Sequence, residues 1–259
     1  MSDSIRPVLT GHRALVVGIA NEHSIAYGCA KAFRTSGAEL AVTWLNDKAR
    51  PYVEPLAKDL DAAITAPLDV AVPGQLEAVF DLIRARWGKL DSLVHSIAFA
   101  PRADLQGGLL DCSAEGFAKA MDISCHSFIR MAKLAAPLMT DGGTMFAMSY
   151  HGANRVVPNY NVMGPVKAAL EAACRYLAFE LGTAGIRVHA ISPGPLKTRA
   201  AGGLKDFELM LNAAAERAPL GELVDIEDVG FACAYLATDF ARRITGGTIY
   251  VDGGANIVA

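Results

Sequence analysis

Seven short runs rich in Val, Ile and Leu recur along this chain, and most are separated by a longer amphipathic stretch. The runs are Arg13–Gly18, Glu39–Trp44, Ala63–Pro67, Leu90–Ile97, Gly143–Met148, Ile186–Ile191 and Gly247–Val251. Helical patterns are predicted over Ser24–Ser36, Asp47–Leu60, Pro73–Trp87, Ala114–Met139, Val162–Gly182 and Ile226–Thr238. A strand that reads as an unbroken apolar run must be covered on both faces, which is the signature of a parallel sheet with crossover helices. Right-handed crossovers place those helices on both sides of the sheet. The expected fold is therefore α/β: a doubly wound Rossmann-type domain with a seven-stranded parallel sheet.

A length of 259 residues and a hydrophobic share of 52% suit one large core, so residues 1–259 are expected to form a single domain. Residues 196–219 break the alternation. An insertion there, hinged by Gly202 and Gly203, is expected to act as a lid over a ligand crevice. A formal charge of −3 with no basic block argues against nucleic acid as a partner. No run is long and apolar enough to span a membrane, and the first residues lack a signal-peptide pattern, so a cytoplasmic protein is expected. The five cysteines are odd in number, widely spaced and free of any Cys-x-x-Cys, which argues against disulfides and zinc. His95 falls inside an apolar run and reads as a hydrogen-bonded core imidazole.

The ends of the first four runs carry a nucleotide-site pattern. Gly18 closes the first run and a helix starts at about Ser24, so a pyrophosphate would rest on backbone N–H groups there. Ser24 is expected to cap that helix or bind phosphate, and Gly28 to let the helix pack closely on its strand. The usual three-glycine spacing is absent. The second run ends at Leu45-Asn46, with Asp47 just beyond and no cation before Lys48, so NADH is expected over NADPH. Asp69 and Val70 would meet the adenine ring, and Ser96, Ile97 and Ala98 would line the crevice where strand order reverses.

Tyr160 and Lys167 lie seven residues apart, close to two helical turns, and are predicted to share one helix face. An ammonium there can hold a sugar hydroxyl and lower the phenol's pKa, and the phenol can donate to a reacting carbonyl.

Taken together, the motifs make the whole chain similar to the enoyl-acyl-carrier-protein reductases of bacterial fatty-acid synthesis, a divergent branch of the short-chain dehydrogenase/reductases. They are Gly18 with Ser24-Ile25-Ala26-Tyr27-Gly28, Val94-His95-Ser96-Ile97-Ala98-Phe99-Ala100-Pro101, Ser149-Tyr150, and Tyr160-Asn161-Val162-Met163-Gly164 with Lys167. Ile191-Ser192-Pro193-Gly194-Pro195 with Thr198 and Val251-Asp252-Gly253-Gly254 complete the set. Ordinary short-chain dehydrogenases carry Asn-Ala-Gly after strand four and a serine ahead of the tyrosine; Ser96-Ile97-Ala98 and Tyr150 stand here instead.

The resemblance implies reduction of a trans-2-enoyl thioester on acyl carrier protein by NADH. It implies Tyr160, Lys167 and Tyr150 as catalytic residues, with Tyr160 serving the thioester oxygen and Lys167 the nicotinamide ribose. Ile19, Ile25, Pro195, Leu196 and Thr198 would join the cofactor set. Phe99, Ala100, Leu105, Met163, Leu204, Phe207 and Met210 would line the acyl pocket with the two tyrosines. Lys197, Arg199 and Lys205 would face the acidic carrier protein. A homotetramer packed through Ala114–Met139 and Val162–Gly182 is implied as well. Two departures stand out: Pro165 is expected to loosen the first turn of the catalytic helix, and Ala98 replaces a common glycine beside the crevice. The alternatives are a reductase of ketones or other enones, and a dinucleotide-sensing protein without chemistry.

Overall fold

The computed structural model describes residues 8–196, 211 and 215–258. Its strands are β1 (Arg13–Val17), β2 (Glu39–Trp44), β3 (Ile64–Pro67), β4 (Ser92–His95), β5 (Gly143–Met148), β6 (Ile186–Pro193) and β7 (Thr248–Val251). They form one sheet in the order β3-β2-β1-β4-β5-β6-β7, and every pairing is parallel. The doubly wound sheet expected from the apolar runs is thus the fold. The helices are α1 (Ile25–Thr35), α2 (Arg50–Asp59), α3 (Gln75–Trp87), α4 (Arg102–Gln106), α5 (Ala114–Met121), α6 (Ser127–Ala135), α7 (Met163–Leu181) and α8 (Ile226–Ala237).

Strand alternation divides the core in two. Ala14 and Val16 face a layer with Phe33 of α1, Val53 of α2 and Val229 of α8. Leu15 and Val17 face the opposite layer, with Phe80 of α3, Phe128 of α6 and Leu170 of α7. A side-chain period of two sends neighbours to opposite faces, so an apolar run needs helices on both. Local chemistry sets the helix ends. The Asp225 carboxylate accepts from the N–H groups of Glu227 and Asp228 at the start of α8, while Asp228 accepts from the N–H of Asp225. Gly88 ends α3 in the left-handed region at φ +70°.

Two elements differ from the sequence reading. The short α4 carries no amphipathic period and was not predicted. The single helix expected over Ala114–Met139 is interrupted by a π turn at Asp122–His126, between α5 and α6. Such bulges often mark functional sites, and this one turns Ser124 and Ser127 toward the end of β4, as described below.

Gly28 also packs differently from expectation. A β-carbon there would lie 2.0 Å from the Ile226 carbonyl oxygen, so the glycine serves the contact of α1 with α8 rather than with its strand. Gly18 sits at φ +114°, and a β-carbon would lie 2.1 Å from the Ser96 carbonyl oxygen. Both the backbone conformation and the close approach of the β1 and β4 tips exclude a side chain. Gly18→Ala is expected to cost about 3 kcal/mol or more of stability. Thermal unfolding checks this, and an unchanged midpoint would refute it.

Candidate active site

The sheet order reverses between β1 and β4, and Gly18, Ile19, Ser96, Ile97 and Ala98 follow the carboxyl ends of those two strands. Ser96 donates its N–H to the Val17 carbonyl at 3.0 Å, which ties the two strand tips together. The loop from Gly18 to α1 is closed by Ser24. Its hydroxyl accepts from the N–H groups of Ala20 (3.0 Å) and Asn21 (3.1 Å) and donates to the Asn21 side chain. Ser24 stands at the start of α1 but makes no side-chain bond to the helix, so its role is to shape the loop rather than to cap. Ile19 is buried and Ile25 packs at the edge of the same core layer.

Leu45 is exposed beyond the end of β2. The Asn46 side chain accepts from the N–H groups of Lys48 and Ala49, which fixes the turn into α2. Beyond β3, the Asp69 carboxylate accepts from the Ala71 N–H, and Arg130 of α6 donates to the carbonyl of the buried Val70. Past β6, Pro195 is half-buried and Leu196 is buried against the layer that holds α1.

The segment after β4 is pinned by the π turn. The Ser124 hydroxyl accepts from the Phe99 N–H at 2.9 Å and donates to the Phe99 carbonyl at 3.0 Å. Phe99 itself stays exposed, with the Lys119 ammonium 5.4 Å from its ring centroid. Ser127 donates to the Ile123 carbonyl, so it accepts the bond from His95 Nε2 at 2.7 Å. Burial, and then the nearby Lys167 charge, hold His95 neutral, with its pKa lowered to about 3. His95 is the hydrogen-bonded core imidazole that the sequence suggested. Ala100 and Leu105 pack at the edge of the core layer that contains the buried Met163. Asn161 donates its side-chain amide to the Leu105 carbonyl at 2.6 Å, linking this segment to the start of α7.

Tyr150 and Tyr160 are brought together. Their ring centroids are 4.9 Å apart at an interplanar angle of 62°, an edge-to-face pair. Tyr160 does not lie on the helix that carries Lys167, contrary to the spacing argument. Asn159 (φ +65°) and Asn161 (φ +45°) flank it in left-handed backbone, which a right-handed helix cannot contain. Helix α7 starts at Met163. Pro165 is then its third residue, where the missing N–H has no helical acceptor anyway, and the anticipated loosening does not arise.

Lys167 is only 4% exposed, and its Nζ donates to the Met148 carbonyl at the end of β5 at 2.6 Å. Burial pushes its ammonium down to about 8, while Cys125, Cys174 and Glu171 pull it upward. The Tyr160 phenol is pushed far up, first by burial and then by the neighbouring Tyr150. The expected lowering of the phenol by Lys167 is therefore not what sets its ionisation. The group stays a proton donor throughout the neutral range. Burial also raises Tyr150, against the opposing pull of Arg217.

Thr198, Leu204, Phe207 and Met210 lie outside the described residues, as do Lys197, Arg199, Lys205 and most of the expected lid. Other residues of the site were not singled out from the sequence: Ser124, Gly152, Asn154 and Glu171. Only Glu171 leaves a signal, an acidic residue one helical turn beyond Lys167 on the face that also buries Val166, Leu170 and Cys174.

The chain is similar to known proteins along nearly its whole length. The family model described as enoyl-(acyl carrier protein) reductase matches residues 18–256. NADH-dependent enoyl-acyl-carrier-protein reductase 2 of Rhizobium meliloti is 47% identical, over 97% of this chain and 94% of the relative. The crystal structure of the NADH-dependent enoyl-acyl-carrier-protein reductase of Aquifex aeolicus superposes with a TM-score of 0.94 at 43% identity, over 97% of this chain and 99% of that one. The Anaplasma phagocytophilum enzyme, solved in complex with NAD, gives a TM-score of 0.93 at 42% identity, over 97% and 96%. A family match over residues 18–256, with relatives this similar over 97% of the chain, places the chain in the enoyl-(acyl carrier protein) reductase family.

Proposed function

We propose that this chain reduces the trans-2 double bond of enoyl thioesters carried on acyl carrier protein, using NADH, in fatty-acid elongation. The observation that carries the reading is the Tyr150–Tyr160 pair, set after β5 and ahead of the helix that holds the buried Lys167. The family membership and the NADH and NAD in the names of its relatives support it.

The residues present fit a dinucleotide. The tips of β1 and β4 approach where only glycine fits at position 18, and the loop beyond leads to the N-terminus of α1. The first N–H groups of a helix have no helical acceptor and favour an anion. Lys167 has three N–H donors and, among the described residues, one hydrogen bond, to Met148. A cation that buried suits the hydroxyls of a ribose. Exposed Leu45 and the Asn46 turn, with no cation before Lys48, favour a free ribose diol over a 2′-phosphate.

When bound, the reduced nicotinamide supplies a hydride to the β-carbon of the enoyl group. Electrons then move onto the thioester oxygen, and this chain's task is to meet that charge. Tyr160 remains protonated and donates to the oxygen as the enolate forms. Stabilisation where charge develops is normally a large part of catalysis. Tyr150, in contact with the Tyr160 ring, confines that hydroxyl and borders the acyl path past Phe99, Ala100, Leu105 and Met163. We read the protein as cytoplasmic and as a homotetramer, since α7 leaves Tyr176 and Phe179 largely exposed for a second copy to cover.

The test follows reduced-nicotinamide absorbance with crotonyl and longer enoyl thioesters, using NADH and NADPH in parallel. Faster oxidation of NADH with enoyl thioesters than with any ketone is expected. Faster turnover of ketones would overturn the reading in favour of a ketone reductase.

A further inference from the structure

Glu171 is a carboxylate only 4% exposed, on α7 one turn beyond Lys167. Burying a charge is costly unless it is hydrogen-bonded, and its partners are specific. Oε1 accepts from the Ser149 hydroxyl at 2.6 Å, and Oε2 accepts from the Asn154 amide at 3.1 Å. The same amide nitrogen donates to the Tyr250 hydroxyl of β7 at 3.0 Å. The carboxylate therefore grips both ends of residues 149–154. Within that stretch lie Tyr150 and a short turn at His151–Ala153. At its centre is Gly152, where a β-carbon would lie 2.5 and 2.8 Å from two ring carbons of Tyr160. Gly152 has ordinary backbone angles, so its lack of a side chain answers to the tyrosine ring and not to a turn. Its carbonyl also lies against α7, 3.2 Å from where a β-carbon of Gly164 would stand.

We propose that Glu171 is a positioning residue for the reduction: it clamps residues 149–154 so that Gly152 forms the wall against which the Tyr160 ring is set. The clamp explains why a second charged residue, besides Lys167, is kept on the buried face of α7. It also explains how Tyr160, which lies outside the helix in a turn flanked by two left-handed residues, holds one orientation. Glu171→Gln keeps the shape but offers one acceptor oxygen in place of two, so either the Ser149 bond reverses or the Asn154 bond is lost, and one end of the clamp loosens. Gly152→Ala pushes directly on the ring.

The inference rests on the reductase reading and is tested in the full-length protein by double-mutant cycles with Tyr160→Phe, which keeps the ring and removes the hydroxyl. Glu171→Gln and Gly152→Ala are each expected to lower kcat for crotonyl thioester at least tenfold, while the Kd for NADH by fluorescence titration, taken well below pH 8 so that Lys167 keeps its proton, stays within twofold. In the Tyr160→Phe background the same changes are expected to lower kcat less than twofold, because no hydroxyl is left to misplace. Equal losses in both backgrounds, or no loss in either, would overturn the positioning role. If Glu171→Gln does not fold, Ser149→Ala, which removes one arm and leaves the carboxylate, takes its place in the cycle under the same criteria. Wild-type turnover is measured alongside. Its absence would sink the reductase reading, whereas an active wild type with equal losses sinks only this inference.

Discussion

Tyr160→Phe is expected to reduce kcat about 100- to 1,000-fold, the loss of about 2.7–4 kcal/mol seen when one donor to a developing oxyanion is removed. The Kd for NADH should be unchanged. The change deletes one oxygen and leaves the ring, so the edge-to-face contact with Tyr150 and the wall at Gly152 persist. The loss should therefore fall on kcat and kcat/KM alike, the pattern of an interaction made only in the transition state. The phenol is held far above its ordinary pKa by burial, so the wild-type rate should show no loss at neutral pH from ionisation of this group. Steady-state kinetics from about pH 6 to 9 check both points. Turnover within threefold of wild type would remove Tyr160 from the mechanism.

Lys167→Met should weaken NADH binding by roughly 10- to 100-fold, since hydrogen bonds from a charged group contribute about 1.5–3 kcal/mol. The same substitution should make the protein more stable at neutral pH. The ammonium has a folded pKa of about 8, below the ~10.4 of an unfolded lysine. The unfolded chain thus holds this proton more tightly. The resulting burden is fully present below pH 8 and is relieved as pH rises from 8 to about 10.4. Methionine fills a similar volume with no charge. The burden of burying that charge goes with it, less whatever the Met148 carbonyl and Glu171 lose with their cationic neighbour. The two effects have opposite signs, which separates a functional lysine from a structural one. A variant that both binds NADH as well as wild type and unfolds at a lower temperature would reject the assignment. In the wild type, NADH affinity should decline as pH rises through about 8, where the ammonium loses its proton, and the Met variant should lack this dependence.

The two predictions meet at the end of β5. Met148 accepts from Lys167, Ser149 donates to Glu171, and Tyr150 packs on Tyr160, so three successive residues connect to three parts of the site. Buried polar groups of this kind are held against their desolvation cost by specific partners. Strand β5 makes this possible, because its backbone is fixed by β4 on one side and β6 on the other. A functional residue one or two positions beyond such a strand inherits its precision.

The apolar runs, read at a period of two and a period near 3.6, were enough for the seven strands, their parallel direction and most of the helices. These patterns are local: they record which faces of an element are buried, and burial on both faces permits only a covered sheet. The same local logic placed Gly18 and Ser96 at strand ends and Lys167 on a helix, while Tyr150 came from the resemblance. What the tertiary structure alone decided is how those residues meet. Spacing put Tyr160 on a helix face, but two left-handed asparagines take it out of the helix and turn it onto Tyr150 and Gly152. Ser124 reached Phe99 through a π turn that no periodicity announces, and Glu171 found Ser149 and Asn154 from 22 and 17 residues away. Hydrophobic periodicity encodes which side of an element is buried, whereas contacts between polar groups far apart in sequence exist only once the elements have packed.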